Sequence, residues 1–375
     1  MKITPKIITI SIVIVIFVSF LIYALWYFFI SPQKSSSLLP PNENQEEFYN
    51  SESARRILKI SDQPIFDFWT IPETNSVYYL SYDGKIFETK KEEDIILSNQ
   101  TINALNRINL SPNKQKVLAS FGDPAKPKWG IFDLIDKIWR PLPSEIINVS
   151  WGSNDEELIG FINNNNQQSL VKINLNENPP VYKTIITDLR LEDVNLIFKK
   201  PNYLIITEKP TAFYESSSWL LNLDNLSISS LFKERGLIIK KSINNDIFFK
   251  FSNNNQNLEI LNESFQILIP AILKTLPQKC EGVFGNLIYC FVPREIPTKI
   301  ILPDDYFQNK FYSVDDLYLL NTDTGDVLTI IESGLEGGRG EEIIPPIDAL
   351  NPQYVDGYLY FINRYDGYLY TLKLN

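Results

Sequence analysis

Residues 76–89 read SVYYLSYDGKIFET and residues 357–372 read GYLYFINRYDGYLYTL, so the same phrase stands near both ends of the chain. Each copy is an aromatic run, a Tyr-Asp-Gly turn and a second aromatic run. Aromatic and β-branched residues favour the pleated surface of a strand. An Asp-Gly pair supplies the positive φ angles that a tight hairpin requires. The phrase is therefore a β-hairpin, and its recurrence marks a repeated β unit.

Fainter copies fill the interval. The turn-like leads are LSPNKQKVLASF from Leu110, WGSNDEELIGFI from Trp151, FKKPNYLIIT from Phe198, NNDIFFKF from Asn244, FGNLIYCFV from Phe284 and NPQYVDGYLYFI from Asn351. Each reads as a lead, an inner apolar strand, a gap and an outer strand. With the first hairpin they make seven units, and residues 54–375 divided by seven give 46 residues per unit. That length suits a four-stranded propeller blade. No long segment beyond residue 54 carries apolar residues at helical spacing, so the expected fold is an all-β propeller of about seven four-stranded blades, six or eight being the alternatives.

The pattern resembles the TolB-like and WD40-like propeller repeats of bacterial envelope proteins. In these an SPDG-type lead precedes a strand and a D-x-x-TG turn follows the next. Here the resemblance is carried by LSPN at 110–113, DDLYLLNTDTGD at 315–326 and NPQYVDGYLYF at 351–361, and it covers most of residues 60–375. The chain ends one strand after its last Tyr-Asp-Gly turn, so the final blade lacks its outermost strand. ARRILKIS at 54–61 is the candidate to supply it, which would close the ring and remove an exposed edge.

Ahead of the repeats, residues 7–30 contain no charge. At about 1.5 Å per residue a helix of this length spans roughly 36 Å, enough for a hydrocarbon core of about 30 Å. Lys2 and Lys6 precede it, Trp26 and Tyr27 stand near its far end, and Glu43, Glu46 and Glu47 follow. This asymmetry predicts residues 1–6 in the cytoplasm, an uncleaved anchor over 7–30, a solvated linker over 31–53 and the propeller, 54–375, on the extracytoplasmic side of the cell membrane.

Composition narrows function further. The formal charge is -10, from 45 acidic and 35 basic residues, and no Lys/Arg stripe with interleaved aromatics is present, so nucleic acid is not an expected partner. There is no histidine, which removes the commonest general base near neutral pH, the Ser/His and Cys/His pairs and the commonest zinc ligand. No cofactor motif is found. NTDTGD at 321–326 lacks the length and terminal Glu of a calcium loop and reads as a hairpin turn. The pairs Asp304/Asp305 and Asp315/Asp316 are poor dyads for glycoside hydrolysis, because neighbours on a strand face opposite ways.

Cys280 and Cys290 flank a turn around Gly285, so a hairpin symmetric about residue 285 sets them opposite each other and predicts a disulfide. The longest irregular stretch inside a unit runs from 292 to 316 and carries Asp304, Asp305, Tyr306, Phe307, Phe311 and Tyr312, the expected binding residues. A second, acidic stretch at 332–342 reads as a connection between blades. Asn-x-Ser/Thr triplets at Asn99, Asn148, Asn225 and Asn262 would matter only in a eukaryotic secretory pathway, and in an Asn-rich chain four such matches arise easily by chance.

The reading that follows is a non-catalytic, membrane-anchored binding or scaffolding module that engages a protein or cell-envelope component through propeller loops. The alternatives are a propeller hydrolase or lyase using carboxylates or a metal in the central channel, and a structural subunit of an envelope complex.

Overall fold

The computed structural model describes residues 57–374 apart from 91–92, 165–166, 178–179, 190, 192–193, 270–272, 284 and 335–343. The proposed anchor and linker, and most of the acidic stretch at 332–342, lie outside the described residues. Among those described, no helix is long and apolar enough to cross a membrane.

Short apolar runs, broken every 8–12 residues or so by turn residues, give seven four-stranded antiparallel sheets. The first blade is β2 to β5 (Ile65–Ile71, Ser76–Ser81, Ile86–Glu88, Ile95–Ser98) and the second β6 to β9 (Leu105–Leu110, Lys116–Phe121, Lys128–Asp133, Ile138–Pro141). The third is β10 to β13 (Ile146–Trp151, Glu157–Asn164, Gln167–Asn174, Val181–Thr187) and the fourth β14 to β17 (Val194–Lys199, Tyr203–Glu208, Glu215–Asn222, Ile228–Arg235). The fifth is β18 to β21 (Ile238–Lys241, Phe248–Phe251, Leu258–Leu261, Ile267–Ile269) and the sixth β22 to β25 (Cys280–Gly282, Leu287–Pro293, Asp315–Asn321, Val327–Ile331). The seventh joins β26 to β28 (Ala349–Val355, Tyr358–Asn363, Leu369–Lys373) to β1 (Ile57–Lys59).

The ring closes as its ends suggest. Strand β1 pairs antiparallel with β28, Leu58 opposite Thr371, so a strand from the start of the domain completes the last blade. Each sequence lead falls on the hairpin between the first and second strands of a blade. The strand after each lead is accordingly the second of its blade's four, and burial between neighbouring blades accounts for its apolar character. Both Tyr-Asp-Gly turns join second to third strands. Gly84 in the first of them has φ of +85°, and a Cβ there would stand 2.3 Å from the Ile102 amide, so only glycine fits.

The core is distributed over the interfaces between blades. Trp69, Leu80 and Ile86 pack on Val117, Ala119 and Phe132 between the first and second blades, and Phe291 and Leu317 on Leu359 and Phe361 between the sixth and seventh. Cys280 and Cys290 are directly opposed in the β22–β23 hairpin, with Cα atoms 4.2 Å apart, and form a disulfide buried beside Phe249 and Ile288.

Candidate functional site

In a ring of antiparallel blades, first-to-second and third-to-fourth connections emerge at one end, and second-to-third and inter-blade connections at the other. The two ends differ in chemistry.

The second-to-third end carries the long insertion between β23 and β24, which folds over the domain. Proline breaks the strand at Pro293, and a single helical turn forms at Asp304–Phe307. Tyr306, 3% exposed, and Phe311 are buried with Leu302 against Ile238, Phe251 and Leu276. Phe307 and Tyr312 are exposed. The Asp304 carboxylate accepts from the Ala212 amide at 2.7 Å and the Thr211 hydroxyl at 3.0 Å, fastening the turn to the loop between β15 and β16. Asp305 accepts from the Ile301 amide at 2.8 Å and closes the turn on itself. The six residues expected to bind thus divide into four that hold the insertion in place and two that present rings to solvent.

Beneath the insertion lies an ion cluster that sequence patterning did not reveal. Lys279, 1% exposed, pairs with Asp315 and, at 2.6 Å, with Asp348, and donates to Ser313 Oγ at 3.1 Å. Arg364 pairs with Asp348 at 2.8 Å, donates to the Tyr306 carbonyl at 3.0 Å and to Asn309 Oδ1 at 2.8 Å, and lies 3.7 Å over the Tyr306 ring. Burial disfavours the Lys279 ammonium, but Asp315, Tyr306 and Asp348 outweigh it and raise its pKa. Burial pushes the Asp315 carboxyl up, and Lys279 opposes this. Its neighbour Asp316 points the other way, to Arg294 at 2.8 Å and the Ser333 amide at 3.0 Å, so Asp315 and Asp316 do not form a dyad.

Around the insertion other rings reach solvent from second-to-third loops: Tyr82 (61% exposed), Phe213, Tyr214 (75%) and Tyr365. Tyr312 stacks on Tyr365 with centroids 5.8 Å apart, and Phe66 meets Tyr82 edge-on at 6.1 Å. Rings of the first, fourth, sixth and seventh blades therefore share one face.

The axis holds a cavity of about 670 Å³, lined by the innermost strands β2, β6, β10, β14, β18 and β26 together with Gln278 and several first-to-second hairpins. Its charged lining is Asp67, Arg107, Lys114, Lys200, Lys240, Lys241 and Asp246. Neither converging carboxylates nor apolar filler dominates. Burial holds the Asp67 carboxyl up at about 6, against hydrogen bonds from the Phe68 amide and Asn351 and the charge of Lys240. Lysines in the leads LSPNKQ and FKKPN were the available signal for this site. Among the described residues, no three of Asp, Glu, His and Cys come together as metal ligands.

The sequence matches no protein-family model and no curated protein sequence. Solved structures resemble the fold at low identity. An oligogalacturonate lyase from Vibrio parahaemolyticus superposes with a TM-score of 0.55 at 11% identity over 85% of this chain and 91% of its own. An oligogalacturonate lyase in complex with manganese gives 0.54 at 11% identity over 85% and 91%. The β-propeller domain of Myceliophteria thermophila Cps50 (Swd1) gives 0.53 at 7% identity over 85% and 100%. These likenesses show a seven-bladed propeller and nothing finer.

Proposed function

We propose that this chain is a non-catalytic, membrane-anchored binding or scaffolding module, with residues 7–30 as its anchor. Its propeller faces outward and takes a protein or cell-envelope component on the end that carries the 294–314 insertion. The observation behind this reading is the set of exposed rings, Tyr82, Phe213, Tyr214, Phe307, Tyr312 and Tyr365, brought to one face by loops of four blades. Aromatic side chains left in solvent are effective interface anchors, because they bury large area at low entropy cost. The ion cluster around Lys279 and Arg364 supports the same reading. It fixes the insertion before any partner arrives, which lowers the cost of binding.

A hydrolase or lyase reading draws on the names of the lyases that share the fold. It needs carboxylates from several blades in the channel, and the acids lining it are Asp67 and Asp246, set among five cations. The binding reading is favoured. A structural subunit of an envelope complex would share the aromatic face, and is separated by a stoichiometric complex surviving detergent extraction.

The test is the double variant Phe307→Ala/Tyr312→Ala, whose side chains contribute little to the core. It should melt as the parent does and lose the partners recovered by crosslinking from membranes. Unchanged recovery would move the binding face elsewhere. Protease added to intact spheroplasts should remove the propeller, and complete protection would overturn the outward topology.

A further inference from the structure

A chain of net charge -10 gathers five cations, Arg107, Lys114, Lys200, Lys240 and Lys241, around one cavity whose own acids are Asp67 and Asp246. They come from three blades. Arg107 stands on β6 and Lys114 on the hairpin after it, Lys200 on the β14–β15 hairpin, and Lys240 and Lys241 at the end of β18.

The cations are incompletely neutralised. Lys240 lies 3.4 Å from Glu281 and donates to the Cys280 carbonyl at 2.9 Å, and Lys241 lies 3.4 Å from Asp246. Lys114 and Lys200 have no carboxylate of the described residues at ion-pair distance. Neither has Arg107. Its guanidinium donates to the side-chain oxygens of Asn195 and, at 2.6 Å, of Asn148, and sits 4.9 Å over the Trp129 ring. Amide oxygens orient that fork without cancelling its charge. Burial lowers the pKa of Arg107 to about 10, the mark of a cation drawn out of water without a counter-charge.

Gathering like charges in a concave, partly desolvated site raises the energy of the empty protein. An anion entering the site relieves it, since low-dielectric walls focus the field on the ligand. Neutral polar groups, Ser111, Ser242, Asn244, Asn245 and Gln353 among them, also line it. At about 670 Å³ the cavity falls within the size range of small-ligand sites.

We infer that the axial cavity, at the end opposite the aromatic face, binds a small oligoanion bearing two or more carboxylate or phosphate groups. Arg107 is the oriented fork at depth, and Lys114 and Lys200 are the point charges at the hairpin rim. The two ends of the propeller then carry separate functions, a partner face and an anion pocket. The inference does not depend on the aromatic face being correct.

Calorimetric titration of the full chain in nonionic detergent at low ionic strength tests it, with three probes of similar length: inorganic tripolyphosphate, a three-residue uronic acid oligosaccharide and neutral maltotriose. One or both anions should bind saturably at one site, weaken as salt rises, and quench the fluorescence of Trp151, which lines the cavity. Which anion binds separates a phosphate ligand from an acidic sugar. Lys114→Glu/Lys200→Glu should weaken binding at least tenfold, and the milder Lys114→Gln/Lys200→Gln at least threefold with an unchanged melting temperature. Absence of saturable binding by both anions, equal binding of maltotriose, or insensitivity to the glutamine variant would overturn the inference.

Discussion

Replacing Lys279 by alanine removes the one ammonium that faces two fully buried carboxylates, Asp315 and Asp348. Arg364 still pairs with Asp348, whereas Asp315 keeps chiefly the Ala349 amide at 2.9 Å. Leaving one buried charge without its partner costs about 3–5 kcal/mol, so a central value of about 4 is expected. The compact unit Arg56–Asn375 is roughly 320 residues long. At about 2.1 cal/mol/K per residue its unfolding entropy is near 0.7 kcal/mol/K, and the melting temperature should fall by about 6 °C. The loss has a pH signature. Without Lys279 the Asp315 carboxyl is raised further above its unfolded value, so the folded state binds its proton more tightly. The deficit is then full at neutral pH and shrinks as pH falls toward 4. Thermal melts of the detergent-solubilised chain at pH 7.5 and pH 5 read both effects. Lys279→Met/Asp315→Asn should recover at least half of the loss, since a neutral, filled site carries no stranded charge. A shift under 2 °C, or one identical at both pH values, would refute the reasoning.

Mass spectrometry of unreduced peptides should find Cys280 joined to Cys290, and replacing both by serine should cost about 2–3 kcal/mol, because so short a loop removes little chain entropy. Deleting residues 296–311 strips Leu302, Tyr306 and Phe311 from Ile238, Phe251 and Leu276, and at about 1.5–3 kcal/mol per buried side chain the melting temperature should drop by several degrees; a normal melt would show that the insertion is not part of the core. Asp67, held near 6 by burial and facing Lys240, Asn351 and Tyr82, contributes stability that is greatest below pH 4 and is lost as pH rises through 6. Asp67→Asn should therefore flatten the pH–stability profile across that window and stabilise the protein at pH 7 by about 1–2 kcal/mol.

Local chemistry makes the blades legible. Asp-Gly turns at 83–84 and 366–367, leads at six further hairpins and runs of alternating residues give strand, hairpin and repeat without tertiary information, because each is settled by φ preferences and a period of two. The opposition of Cys280 and Cys290 is of the same kind, a matter of register within one hairpin. The closing strand was legible from a count of strands, since a blade one strand short leaves an edge to be filled.

Side-chain contacts between residues distant in sequence were not legible. Lys279, Asp315, Asp348 and Arg364 span 86 positions and look like ordinary surface charges until the sixth and seventh blades bury them together. Tyr306 and Phe311 could not be told from Phe307 and Tyr312 by composition, because burial depends on what the blades beneath supply. The cations of the axial cavity lie on hairpins of different blades, and only closure of the ring brings them to one axis. Sequence determined the unit and its repetition through short-range sterics and periodicity; ring closure decided which charges meet, because electrostatic neighbourhood is a property of three-dimensional distance and not of chain order.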